Sequence, residues 1–333
     1  MRSLRTSPLL PGVLLLLVTS QADADPTEVR NAVRRAVPYV ATKGVEWIEE
    51  KDCVSCHRVS VMTWALLDAQ RHGFDVNTET LTEWRTWSRQ ALLSERDDGD
   101  LVGSRNVEAL SHILRAEQEQ PDRPVTEFVT LLRQTQKEDG TWSAGGQLPL
   151  QKRPATETAH VSTMWNALAL GTTGSADDAV IRERAVAAVT AVEQAESTEW
   201  YALRLLLAVQ DGEPDATARW TERLQQHQRA DGGWGWRVED DSDALGTGMA
   251  LYALSEAGVP ADHETIRRAI RFLTGSQNDD GSWTVRSTKE KKQTKPAETA
   301  RYWGTCWAVI GLLATLDEPD EHDSDVSRTL RSE

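Results

Sequence analysis

Cysteine is scarce in this 333-residue chain, with three copies, and phenylalanine and tyrosine, at three and four, are outnumbered by thirteen tryptophans. Three cysteines cannot supply the disulfide framework of a small, coreless secreted domain. Long apolar runs are missing as well. Leu9 through Val18 is interrupted by Pro11 and Gly12 and falls short of the roughly 20 apolar residues that cross a bilayer, and no later stretch reaches that length, so no membrane span is expected. Positive charge is in deficit too: 37 Lys and Arg stand against 52 Asp and Glu, a formal net charge of −15. Such a surface repels polyanions, which removes nucleic acid and anionic lipid from the expected partners.

The N-terminus reads as an address. Arg2 and Arg5 form a positive segment, the short apolar run follows, and Ala22-Asp23-Ala24 has the small-x-small pattern of a cleavage site. Residues 1–24 are therefore expected to be a signal peptide, and the protein to be periplasmic or secreted. Losing Met1 to Ala24 takes away two Arg and one Asp and moves the formal charge from −15 to −16.

In that compartment Cys53-Val54-Ser55-Cys56-His57 acquires a meaning. C-x-x-C-H is the pattern by which haem is attached covalently: two thiols add to the vinyl groups and the adjoining imidazole binds iron. One covalent haem c is the expected cofactor, held by Cys53, Cys56 and His57, and its expected work is electron transfer or redox sensing with a redox partner protein. The alternative is a disulfide, either Cys53–Cys56 or one that includes Cys306, in a structural interaction domain. Structural zinc is less suited, since no second C-x-x-C or H-x-x-x-H completes four ligands.

Beyond this loop the chain repeats. Gln136…Asp139-Gly140-Thr141-Trp142, Gln228…Asp231-Gly232-Gly233-Trp234 and Gln277…Asp280-Gly281-Ser282-Trp283 share one form, and 92 and 49 residues separate their glutamines. Since 92 is close to twice 46, a degenerate copy is expected near Val192 to Trp200, with Gln194 in the glutamine position. An Ala- and Leu-rich stretch follows each motif or its equivalent: Ser60 to Ala69, Asn106 to Ala116, Val161 to Leu170, Tyr201 to Val209, Thr247 to Ser255 and Thr305 to Thr315. Their composition favours helices. Six apolar helices, each with a more polar partner, predict an all-α fold of six hairpins with the apolar helices inside. Residues 25–318 would form it, and residues 319–333 an acidic polar tail read as disordered.

The motif resembles the QW repeat of the squalene-hopene cyclase and prenyltransferase superfamily. That resemblance implies an (α/α)6 toroid and a structural role for the motif, with Gln binding the preceding helix end or backbone and Trp stacking on the next unit. It also raises the alternative of a terpenoid-processing enzyme or a lipid-binding toroid without haem, and of an apolar small ligand in the central cavity. Cyclases of that family protonate an alkene from an Asp-x-Asp-Asp motif. Here Asp240-Asp241-Ser242-Asp243-Ala244-Leu245-Gly246 rebuilds it in neither register.

On such a scaffold the C-x-x-C-H loop sits where later units carry Asp-Gly-x-Trp, at the mouth of the barrel. Trp64, Trp165, Trp303 and Trp307 are expected on inner helices, within reach of a porphyrin or packed between units. His160 is placed at the opening of the third inner helix, level with His57, and is the expected distal iron ligand, ahead of His112 and Met249. A basic cluster, Lys289, Lys291, Lys292 and Lys295, with Lys152 and Arg153 in a comparable loop, is a candidate patch for an acidic redox partner.

Overall fold

The computed structural model describes residues 26–51, 53–54, 58–146, 148–289 and 297–317. The expected signal peptide and tail fall outside the described residues, as do Cys56, His57, Lys291, Lys292 and Lys295. Among the described residues there are twelve α-helices: α1 (Pro26–Lys51), α2 (Val59–Arg71), α3 (Thr78–Leu92), α4 (Val107–Ala116), α5 (Val125–Thr135), α6 (Ala155–Leu170), α7 (Ala176–Thr190), α8 (Thr198–Gln210), α9 (Pro214–Gln226), α10 (Ala244–Glu256), α11 (Glu264–Ser276) and α12 (Glu298–Leu313). None of these helices is long and apolar enough to cross a membrane.

The even-numbered helices form the inner ring. Each packs on the next, and α12 packs on α2, so the ring closes. Burial separates the layers as the sequence predicts. In α10 every residue from Ala244 to Leu254 is buried. The outer helix α11 buries only Ile266, Ala269, Ile270 and Leu273, the single stripe that a 3.6-residue period gives. Helices α10 and α12 come closest of all. A Cβ on Gly248 would lie 2.4 Å from the Trp307 carbonyl, and one on Gly311 would lie 2.5 Å from that of Gly248, so only glycine permits this approach. The fold is an α/α toroid of six hairpins.

Three equivalent clamps bind the hairpins together. Gln136 Nε2 donates to its own loop at the Gly140 carbonyl (3.0 Å) and to Ile181 of α7 (2.9 Å). Gln228 does the same to Gly232 (2.9 Å) and to Thr265 of α11 (2.8 Å). Gln277 reaches Gly281 and Ala32 of α1, both at 2.9 Å. The tryptophans reach the other way. Trp142, Trp234 and Trp283 donate Nε1–H to Leu132, Leu224 and Leu273, carbonyls near the end of the preceding outer helix left open by the missing next turn. Their backbone N–H groups donate to Thr163, Thr247 and Thr305 of the inner helices. Gln thus binds backbone, as the resemblance implied, in its own loop and in the next unit, whereas the Trp indole holds the preceding helix end. Between them the glycine takes a positive φ. At Gly281 (φ 83°) a Cβ would fall 2.0 Å from the Arg35 carbonyl, so the turn excludes a side chain.

The expected fourth copy takes another form. Trp200 stacks against Tyr201 and Trp220. Arg204 Nη1, rather than an indole, binds the Val189 carbonyl at the end of α7, at 2.6 Å.

Candidate functional site

The loop between α1 and α2 carries the cysteine motif. Cys53 is exposed, and its carbonyl accepts a hydrogen bond from Trp47 Nε1 at 2.9 Å. Val54 beside it is buried. Arg58, the next residue after His57, starts the descent into the core and is only 2% exposed. Its guanidinium lies between two aromatic faces, 4.6 Å from the Trp47 ring centre and 4.7 Å from that of Tyr302. Polar partners are few. Nη2 makes 3.5 Å contacts to Glu298 Oε1 and Thr299 Oγ1, Glu298 is itself 73% exposed, and Nε has no partner. Arg58 was legible in the sequence only as a charged residue opening an apolar run directly after the motif.

Cys306 lies on α12 beneath this loop, fully buried beside Tyr302, whose hydroxyl donates to the Val40 carbonyl at 3.0 Å. Burial pushes the Cys306 thiol up to about 12, which makes it an inert core thiol. It forms no disulfide, so the bridge involving Cys306 is set aside.

His160 is not where the sequence register put it. Helix α6 begins at Ala155, right after Pro154, so His160 lies in its second turn rather than at its opening. The clamp threonines make Thr163 equivalent to Thr247, which sets His160 level with Ala244 and not Gly246. His160 is partly buried beside Glu157 and Arg204, and desolvation lowers its pKa from the ordinary value. Trp165 is the α6 side chain that faces the axis; five residues away, His160 sits about 140° around the helix from it. The structure gives no distance from His160 to His57, which lies outside the described residues.

The lumen is filled with rings. Trp64 of α2 touches Trp165 of α6 and Tyr252 of α10, with ring centres 6.0 and 5.5 Å apart. Because these helices are not neighbours in the ring, the contacts cross the axis. Trp307 of α12 and His112 of α4 join the same cluster, His112 edge-on to Trp165 at 4.7 Å. Met249 is buried on α10. Below the cluster, at the C-terminal ends of the inner helices, lies a cavity of about 290 Å³ whose charges are matched within the protein. Arg71 pairs with Asp68 and Glu119, and Arg115 with Glu256 and the Tyr252 hydroxyl.

At the opposite mouth the candidate acid of the cyclase comparison serves as a helix cap. Asp243 accepts from Gly246 N at 2.8 Å with one oxygen and from Trp236 N at 3.0 Å with the other. Burial pushes its carboxyl up to about 6 in spite of these donors. Lys152 and Arg153 do not belong to an exposed basic patch either. Lys152 pairs with Asp240 at 2.5 Å, and Arg153 is buried against Glu199 at 2.8 Å.

Sequence comparison places this toroid beside the cyclases. Residues 203–330 match the family described as the squalene-hopene cyclase C-terminal domain, which supports the cyclase/prenyltransferase-like class over that part of the chain. The squalene–hopene cyclase of Zymomonas mobilis is 34% identical over 108 residues, 29% of this chain and 15% of that protein. The cycloartenol synthase of Dictyostelium discoideum is 36% identical over 74 residues, 21% of this chain and 10% of that protein. The aligned stretches thus span under a sixth of either relative. Among solved structures, the type II terpene cyclase MstE of Scytonema superposes with a TM-score of 0.55 at 13% identity, over 87% of this chain and 98% of that one. A possible GH105-family member from Salmonella enterica gives 0.60 at 11% identity, over 92% and 98%. Likeness at these identities speaks for the α/α toroid alone.

Proposed function

We propose that this protein is an exported carrier of one covalent haem on a cyclase-like toroid, working in electron transfer or redox sensing. The observation that carries the proposal is the Cys53-Val54-Ser55-Cys56-His57 sequence between α1 and α2, downstream of a segment with the pattern of an export signal. Two features are in keeping with a haem at this loop. Cys53 is exposed, as a thiol that must meet a porphyrin and its attachment machinery has to be. Arg58 keeps a buried N–H without an acceptor, suited to the carboxylate groups that a haem brings. A bound haem supplies a one-electron couple whose potential the surrounding charge and burial tune. The chain's part is to supply both thioether sulfurs and His57 from one short segment. The test is a haem stain after denaturing electrophoresis of protein from a host that matures c-type cytochromes. A retained stain is expected; a colourless protein with free or disulfide-bonded Cys53 and Cys56 by mass spectrometry overturns the proposal.

His160 enters this proposal as the distal ligand candidate. It sits about 140° around α6 from the axis-facing Trp165, which weighs against it. Conversion of a low-spin spectrum to high spin in His160→Ala keeps the assignment, and an unchanged spectrum removes it in favour of His112 or Met249.

The similarity over residues 203–330 favours a second reading, a terpenoid-processing toroid. Against it stand the occupied carboxyl of Asp243 and the ring-filled lumen. Squalene and shorter polyprenoids should come back unchanged, and an Asp243-dependent cyclic product would promote this second reading.

A further inference from the structure

The cavity at the C-terminal ends of the inner helices grades from a buried floor to an exposed rim. Trp64, Asp68 and Tyr252 are 3%, 8% and 6% exposed, whereas Gln118, Glu119 and Glu256 stand in water. It lies at the far end of α2 from the cysteine motif, about 18 Å along the helix at 1.5 Å per residue. The ion pairs that line it do not use up the groups that form them. Arg71 donates from Nη1 to Glu119 Oε2 at 3.0 Å and from Nη2 to Asp68 Oδ1. Arg115 donates from Nε and Nη2 to the Tyr252 hydroxyl oxygen, at 3.3 and 2.9 Å, and from Nη2 to Glu256 Oε2 at 2.7 Å. Among the described residues this leaves Arg71 Nε–H, Arg115 Nη1, the Tyr252 hydroxyl hydrogen and Asp68 Oδ2 without hydrogen-bond partners. Burial raises the pKa of the Tyr252 hydroxyl, so its hydrogen stays in place as a donor.

Donors and an acceptor interleaved in this way select a chemistry. An anion meets Asp68, Glu119 and Glu256, and a cation meets two guanidiniums; among the described residues no three groups gather to ligate a metal. A zwitterion would have to compete with charges already paired to one another. A hydroxyl group both accepts and donates, so a single one bridges a guanidinium N–H and the neighbouring carboxylate, and adjacent hydroxyls on a ring repeat the pattern. Trp64 and Tyr252 supply an apolar base for the carbon skeleton. At about 290 Å³ the cavity falls just under the roughly 300–1,000 Å³ of sites for drug-sized ligands, which suits one saturated ring. We propose that this cavity binds a neutral, polyhydroxylated ring, a monosaccharide or cyclic polyol, whose hydroxyls bridge Arg71 to Asp68 and Arg115 to Tyr252. The site does not depend on the haem reading.

Saturation-transfer NMR on the full chain tests this, with D-glucose, D-galactose, D-mannose and myo-inositol as probes and inorganic phosphate and glycine as charged competitors. Transfer to at least one of the four probes is expected, and neither competitor should reduce it. Asp68→Asn keeps the shape of the floor but turns an acceptor into a donor, and should weaken binding roughly ten- to hundredfold, the worth of one charge-assisted hydrogen bond. Should that variant fail to fold, Gln118→Trp carries the test. Gln118 is exposed and its side chain makes no hydrogen bond among the described residues, so a bulky ring there narrows the opening and should abolish transfer at an unchanged thermal midpoint. No transfer to any probe in the wild type overturns the inference. So does transfer that persists unchanged in a folded variant, and so does a probe displaced by phosphate or glycine, which would mark a site for charged ligands. None of these outcomes alters what the haem stain reads.

Discussion

The loops that enter α6, α10 and α12 and the loop that enters α2 occupy matching places in the hairpins and are built from opposite chemistry. The first three spend their residues on internal bonds: glutamine forward, tryptophan back, threonine beneath, glycine at the turn. Over its described residues the α2 loop has none of these. It offers an exposed cysteine, a buried arginine short of anions and two aromatic faces. A repeat position freed from clamping is where a scaffold of this kind has room for a cofactor.

Four changes break or sharpen this contrast. Replacing both Cys53 and Cys56 by alanine should abolish covalent haem entirely while leaving the helical far-UV circular dichroism unchanged, because no clamp bond is touched. In the clamped loops the order reverses. Trp283→Ala should cost about 3–5 kcal/mol in chemical denaturation, since it opens a cavity and strips the Leu273 carbonyl of its donor. Haem staining of whatever protein folds should persist.

Gln277→Ala is smaller, on the order of 1–3 kcal/mol, the cost of leaving the Gly281 and Ala32 carbonyls short of a donor. Gln136→Ala should match it within experimental scatter if the clamps are equivalent. A much larger loss at Gln277 would single out the closing seam.

Asp243 is read as a pH slope rather than as a loss at one pH. Its carboxyl holds a proton up to about 6 in the folded protein, whereas the unfolded chain releases it near 3.8. Between those values the unfolded state binds fewer protons, so this group makes stability fall as pH rises through the window and adds no further slope above it. Asp243→Asn should therefore lose stability less steeply between pH 4 and pH 6, as measured by urea midpoints. Parallel curves for the two proteins would show that Asp243 keeps its ordinary titration.

The sequence made the hairpins legible because Gln, Asp-Gly and Trp recur at fixed offsets and each inner helix is apolar all round. The direction of the clamp bonds was not legible, since spacing does not say which carbonyl a side chain reaches. His160 was misjudged for a related reason. Matching the apolar ends of the helices left their starts two residues adrift, whereas the threonine under each clamp tryptophan sets the register directly. Helix α1 continues through Pro38, a residue that reads as a breaker in sequence, because its buried stripe Val29, Ala32, Val33, Ala36 and Val37 packs on the core. The crossing of Trp64 to Trp165 and Tyr252 is a property of ring closure, invisible until non-adjacent helices are brought face to face.

The bond from Gln277 to Ala32 spans 245 positions of the chain. A polypeptide made N-terminus first has α1 in place long before α11 arrives, so the apolar flank of the first hairpin must wait uncovered. Contacts this distant in sequence slow folding. Under the proposed function this interval would have a use: the cysteine motif would be open to enzymes that add the cofactor before the last hairpin locks the circle, so maturation would precede closure.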